Sequence, residues 1–315
     1  MKLFVSACAF FISVSAFAFD CPPRGAFQAL IEQHLGKDTA ERSTSFGLAL
    51  VDSDSGQILC EEYVQRDQNI YPASAIKTLI GLAVLRGVDR GEINLSQAVA
   101  ISQPNAKEEC KHWGCATYGP GHKVQISKLL EDMITVSNNI ATNQLIDLAT
   151  KSGINAIADE LGTPELRIVR KVYDDVNPEP EIQDRNHATS GGLVSLYREI
   201  VSGRLKALSE ESRKRLIETL GRQTINGSLN GRFPKDVKFY HKTGNTSEVT
   251  ADGGFYYLPG SDSRVAVILV GLQGFAKLGE LTGFETLRRI GEGTLKLTRE
   301  PVPAPGGSRA AETRQ

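Results

Sequence analysis

After position 20 the chain of 315 residues has no uncharged stretch of the 18 or so residues needed to cross a bilayer, so the mature part contains no expected membrane span. An excess of one charge is equally absent. There are 36 Lys+Arg against 37 Asp+Glu, and no run of five or more like charges occurs. This excludes the basic footprint of a nucleic-acid binder and the charge-rich signature of a disordered chain. Cysteine is scarce, five in all with no C-x-x-C pair, and there is no internal repeat. What remains, 40% hydrophobic and 23% charged, is ordinary globular composition with length enough for one large core or two modest ones.

The first residues do carry an apolar run. Lys2 precedes Leu3 to Ala18, which ends in Ala16-Phe17-Ala18. One positive charge, a short apolar core and an A-x-A site predict a secretory signal peptide over 1–18, and so a periplasmic or secreted protein. The acidic Asp20 before Cys21 does not suit a lipidation box. Cleavage removes Cys8 and leaves Cys21, Cys60, Cys110 and Cys115, an even number in an oxidising compartment. Of the three possible connectivities, Cys110–Cys115 as a local clip and Cys21–Cys60 as a pin on the N-terminus are favoured. A four-cysteine metal site lacks the ligand spacing.

Periodicity predicts a helix over Ala26–Leu35, stopped by Gly36, then a hairpin of Ser45–Val51 and Gln57–Tyr63 around Asp52-Ser53-Asp54-Ser55-Gly56. From Ser74 to about Arg222 the pattern is helical, interrupted by loop-like stretches at Asn105–His122 and Val172–Asn186. Strands resume at Val237–His241, Gly253–Leu258 and Val265–Leu272. A last amphipathic helix covers about Phe275–Leu297, followed by a Pro/Gly/Ser-rich tail over 299–315 expected to be disordered. The expected class is α+β: a discontinuous sandwich (19–70 and 230–298) whose antiparallel sheet is covered by the N- and C-terminal helices, plus an all-α domain over 71–229. A site belongs in the cleft between them.

Three short motifs fall at these joins. Ser74-Ala75-Ile76-Lys77 opens a helix behind Pro72, with Lys77 one turn after Ser74 on the same face. A serine hydroxyl is a weak nucleophile, and a partly desolvated lysine can serve as its base. Ser137-Asn138-Asn139 lies between two apolar helical runs, where a plain helix cap would look the same. Lys242-Thr243-Gly244 follows a strand and offers a cation, a hydroxyl and an open backbone to a substrate carboxylate and a reacting carbonyl. It also has good turn chemistry. Each alone is weak. S-x-x-K, S-x-N and K-T-G in this order are the set described for class A β-lactamases and penicillin-binding proteins.

Tyr71-Pro72-Ala73-Ser74, Ser137 to Asn143 and His241 to Gly244 resemble segments of the class A β-lactamase and related serine hydrolase family. The resemblance implies an α/β sandwich with an all-α domain, a monomer, no metal or organic cofactor, and a small β-lactam or peptidoglycan-peptide substrate. It makes Ser74 the acylated nucleophile and Lys77 its base or proton relay. Ser137 would pass a proton to the leaving nitrogen, and Asn139 would hold the substrate amide and Lys77. Lys242 and Thr243 would take the substrate carboxylate, Gly244 and Asn245 would also bind substrate, and the N–H groups of Ser74 and Asn245 would form the oxyanion hole. His241 should point away from the cleft, since strand side chains alternate. His112 and Trp113, between Cys110 and Cys115, suit a cleft rim or a structural role equally.

The family's E-x-x-L-N stretch, whose Glu activates the deacylating water, has no intact counterpart in Arg167–Asp184. Counting from Gly162 puts Val172 at the position of the Glu. Matching Val176-Asn177 to L-N puts Tyr173 there. Matching Glu179-Pro180-Glu181-Ile182-Gln183 supplies Glu179 but replaces Asn by Gln. The activity expected is therefore β-lactam opening through a Ser74 acyl-enzyme. The alternatives are a D-Ala-D-Ala carboxypeptidase or esterase, or a slowly deacylating penicillin-binding sensor.

Overall fold

A computed structural model describes residues 21–36, 43–107, 117–172, 185–274 and 280–299. Residues 1–20 with the expected signal peptide, Cys110, Cys115, His112, Trp113, Tyr173, Glu179 and residues 300–315 of the expected tail lie outside these stretches.

α1 (Ala26–Leu35) buries Phe27, Ile31 and Leu35, one face of the predicted helix. β1 (Thr44–Asp52) and β2 (Ile58–Val64) follow as the expected hairpin. Its turn is held by Asp52, whose Oδ1 accepts from the Ser55 N–H and hydroxyl at 2.7 and 2.6 Å, the usual way an aspartate closes a turn. A disulfide joins Cys21 to Cys60, with Cα atoms 5.9 Å apart, so this pairing is borne out.

The five-stranded sheet has the order β2-β1-β7-β6-β5 and is antiparallel throughout. β7 (Val265–Gly274) sits at its centre and is buried along nearly its whole length. Its continuous apolar run follows from having both faces covered. On the outer face, Val265, Val267 and Leu269 join Phe46, Leu48 and Leu50 under α1 and α8 (Glu280–Arg299). On the inner face, Ala266, Ile268 and Val270 belong to a core that runs unbroken into the helices.

α2 (Lys77–Asp89) is the axis of the helical block and packs against α3 (Ile126–Thr135), α4 (Asn139–Ala149), α5 (Lys151–Glu160) and α7 (Glu210–Leu220). Its middle, Leu79–Leu85, is apolar on every side because the neighbouring helices cover it. Burying Leu79, Ile80, Leu82, Val84 and Leu85 stabilises by about 1.5–3 kcal/mol each, and holds Lys77 in the same apolar packing. α6 (Ser190–Ser202) lies between this block and the sheet.

The structure corrects the sequence reading at three places. β5 runs over Tyr240–Asn245, not Val237–His241, because the Val237 N–H closes a turn onto Pro234 O. Lys242-Thr243-Gly244 is therefore inside the strand. β6 starts earlier than expected, at Val249 (Val249–Tyr257). A small ribbon, β3 (Ala98–Ala100) with β4 (Lys123–Gln125), went unpredicted beside the Asn105–His122 stretch.

Candidate active site

Ser74 lies in a single 3-10 turn, Ala73–Ile76, that leads into α2, rather than in the α-helix itself. The turn is entered through Ala73 at φ 46°, a left-handed conformation that costs a residue with a Cβ about 1–3 kcal/mol. Ser137 has the same feature at φ 58°. Ala73 directly precedes the first motif and Ser137 opens the second, and the surrounding packing holds both backbones.

Lys77 is fully buried and its Nζ is held by three oxygens. Nζ donates to Ser137 O at 2.8 Å, Ser137 Oγ at 3.1 Å and Asn139 Oδ1 at 2.8 Å. The neighbouring asparagines divide the work. Asn138 caps α4 by accepting from the Ala141 N–H at 2.9 Å, and this leaves Asn139 to face Lys77. Ser137-Asn138-Asn139 is thus both a cap and a polar cluster.

On the other wall, Lys242 is fully buried in β5, and Nζ donates to Thr243 O at 2.8 Å. Burial lowers its pKa to about 7, and the negative charge of Asp252 opposes that shift. Thr243 is buried and Asn245 half-buried. His241 faces the other side of the sheet, as expected, with Nδ1 2.8 Å from Asp252 Oδ1 and its ring against Phe239. Asp252 also accepts from the Leu229 N–H at 3.1 Å.

The two walls meet at Gly244. A Cβ built there would lie 2.6 Å from Ala75 N and 2.8 Å from Ser74 N, and would also strike Pro72 O. Only glycine lets β5 come this close to the turn that carries Ser74. Gly244→Ala is expected to cost about 1–3 kcal/mol of stability by overpacking. It should also slow covalent labelling by benzylpenicillin at least about tenfold, since reacting groups tolerate little displacement. Thermal melting and rapid-mixing mass spectrometry check the two effects, and an unchanged labelling rate would show that the contact does not set the site.

One functional contact was missed in the sequence. The Asn143 carboxamide takes the Val172 N–H on Oδ1 and donates Nδ2 to Val172 O, both at 2.9 Å. Asn143 is four residues after Asn139 and so lies on the same helix face. The available signal was that i, i+4 pair of asparagines. Nearby, Lys171 bonds Asp147 at 2.6 Å and Asn105 Oδ1 at 3.0 Å, while Asn186 Oδ1 accepts the Val169 and Arg170 N–H groups at 2.7 and 3.0 Å.

Residues 27–296 match the model of the β-lactamase enzyme family. The chain belongs to that family. Over 230 residues it is 24% identical to the β-lactamase VEB-1 of Pseudomonas aeruginosa, covering 69% of this chain and 74% of that one. Over 120 residues it is 33% identical to the D-alanyl-D-alanine carboxypeptidase DacB2 of Mycobacterium tuberculosis, but the match covers only 36% of this chain and 37% of that protein. Among solved structures, a PBP-A variant in an acyl-enzyme complex with penicillin G superposes with a TM-score of 0.70 at 24% identity, covering 86% of this chain and 95% of that one. The fold is thus that of the β-lactamase-like serine hydrolases.

Proposed function

We propose that the protein is an exported acyl-transferring serine hydrolase that opens β-lactams, or the acyl-D-amino amides they resemble, through Ser74 and then deacylates slowly. The observation that carries the reading is the cluster of Lys77 with Ser137 and Asn139 one helical turn from Ser74. Lys77 Nζ takes the Ser74 proton as Oγ bonds to the carbonyl carbon. The charge on the carbonyl oxygen is met by the N–H groups of Ser74 and Asn245. Ser137 relays the proton from Lys77 to the departing nitrogen, and the C–N bond breaks. Lys242 and Thr243 hold the substrate carboxylate, and Asn139 holds its side-chain amide. The Cys21–Cys60 disulfide supports an oxidising compartment, in keeping with the signal segment.

Slow deacylation is supported by the loop. The residue that Asn143 holds beside the Asn139 face is Val172, the same residue found by counting from Gly162, and it carries no base. Water attack on the ester needs a general base that acylation does not supply. The test is intact mass of the mature protein over time after mixing with benzylpenicillin. A single persistent adduct is expected. A transient adduct with accumulating penicilloate would make the protein a turning-over β-lactamase and direct attention to Glu179. No adduct and no product would refute the Ser74 assignment.

A further inference from the structure

Tyr197 is a fully buried phenol on α6 that the chemistry above does not use. Its hydroxyl lies 3.1 Å from Thr78 Oγ1, and Thr78 is the residue after Lys77 in the first turn of α2. Burial pushes the pKa of this phenol up, so it stays a neutral hydroxyl. The cross-strand partner of Lys242 is Gly253, and a Cβ there would come within 3.1 Å of Tyr197 Cε2 and 3.8 Å of its hydroxyl. β6 therefore carries no side chain at this point, and the phenol ring fills the space. Tyr197 also packs against Phe255 on β6, with ring centroids 6.4 Å apart.

One side chain from a third element thus touches α2 and the strand that pairs with β5. On the α2 side it bonds the neighbour of Lys77. On the sheet side it packs against Gly253 of β6, the cross-strand partner of Lys242. We propose that Tyr197 is a positioning residue for acylation, setting the carboxylate-binding strand at Lys242 against the turn and helix that carry Ser74 and Lys77. The proposal rests on the Ser74 acylation reading. Its specific consequence concerns substrates anchored at Lys242. An acyl donor without a carboxylate is not located by that strand, so the position of Lys242 relative to Ser74 matters little to it.

The experiment compares Tyr197→Phe with wild type in the acylation rate by benzylpenicillin and by its methyl ester, which lacks the anchoring charge. Wild-type labelling by benzylpenicillin is the control for the underlying reading, and its absence would remove that reading before Tyr197 is tested. With wild type active, Tyr197→Phe is expected to slow the free acid about 3- to 10-fold and the ester less than twofold, as suits loss of one buried neutral hydrogen bond. Thr78→Val should give a similar selective loss, and the double variant should be no slower than either single one, because both remove the same bridge. Equal slowing of acid and ester would mean a general packing defect and would overturn the proposal, as would unchanged rates or additive losses. Should Tyr197→Phe fail to fold, the acid-to-ester ratio of Thr78→Val alone decides the question.

Discussion

Ser74→Ala abolishes covalent labelling by benzylpenicillin, and Lys77→Met slows it by about a hundred- to ten-thousand-fold, the usual contribution of a positioned general base. The two substitutions separate nucleophile from base within one cluster. Ser74→Ala removes the atom that forms the ester, so no adduct survives at any time or concentration. Lys77→Met keeps Ser74 but removes the nitrogen that Ser137 and Asn139 hold in place. Methionine keeps the length of the buried stem but leaves the Ser137 and Asn139 oxygens without their donor, so a loss of about 1–3 kcal/mol of stability is expected beside the larger loss of rate. Intact mass after timed quenching reads both variants, and thermal melting shows whether loss of labelling follows loss of structure. Full labelling of Ser74→Ala would place the nucleophile elsewhere.

The three motifs read from the sequence fall on elements that the fold brings together. Ser74 precedes α2, Ser137 separates α3 from α4, and Lys242 lies on the strand that faces them. The finer geometry was not legible there. Val237 to His241 has the residue types of a strand, yet the pairing with β6 falls on Tyr240 to Asn245, whose lysine, glycine and asparagine are poor strand formers. Tertiary pairing decided that boundary. Gly244 reads as a turn residue in one dimension, and only the approach of Pro72, Ser74 and Ala75 shows it to be a contact residue. The left-handed backbones of Ala73 and Ser137 are invisible for the same reason, since neither residue type favours that conformation. The covering of the sheet was legible: α1 and α8 lie over its outer face, as two terminal segments that each supply strands and a helix require.

Val172→Glu raises the deacylation rate of the penicilloyl adduct by about a hundredfold or more, with little effect on its formation. Asn143 grips the main chain of Val172 through both N–H and C=O and makes no demand on the side chain, so the anchor survives the substitution. The loop on its near side stays tied by Lys171 to Asp147 and Asn105. A carboxylate introduced at this point is carried by the main chain that Asn143 holds, on the α4 face where Asn139 binds Lys77 Nζ. An ionised carboxylate there can take a proton from water as it attacks the Ser74 ester, the step for which valine has no group. Val172→Gln provides the control, with nearly the same size and no base. Adduct decay followed by intact mass should be fast for the glutamate variant and slow for the glutamine variant and wild type. Equal decay in the two variants would show that position 172 does not reach the hydrolytic water, and that the base for any turnover lies in another residue of the loop.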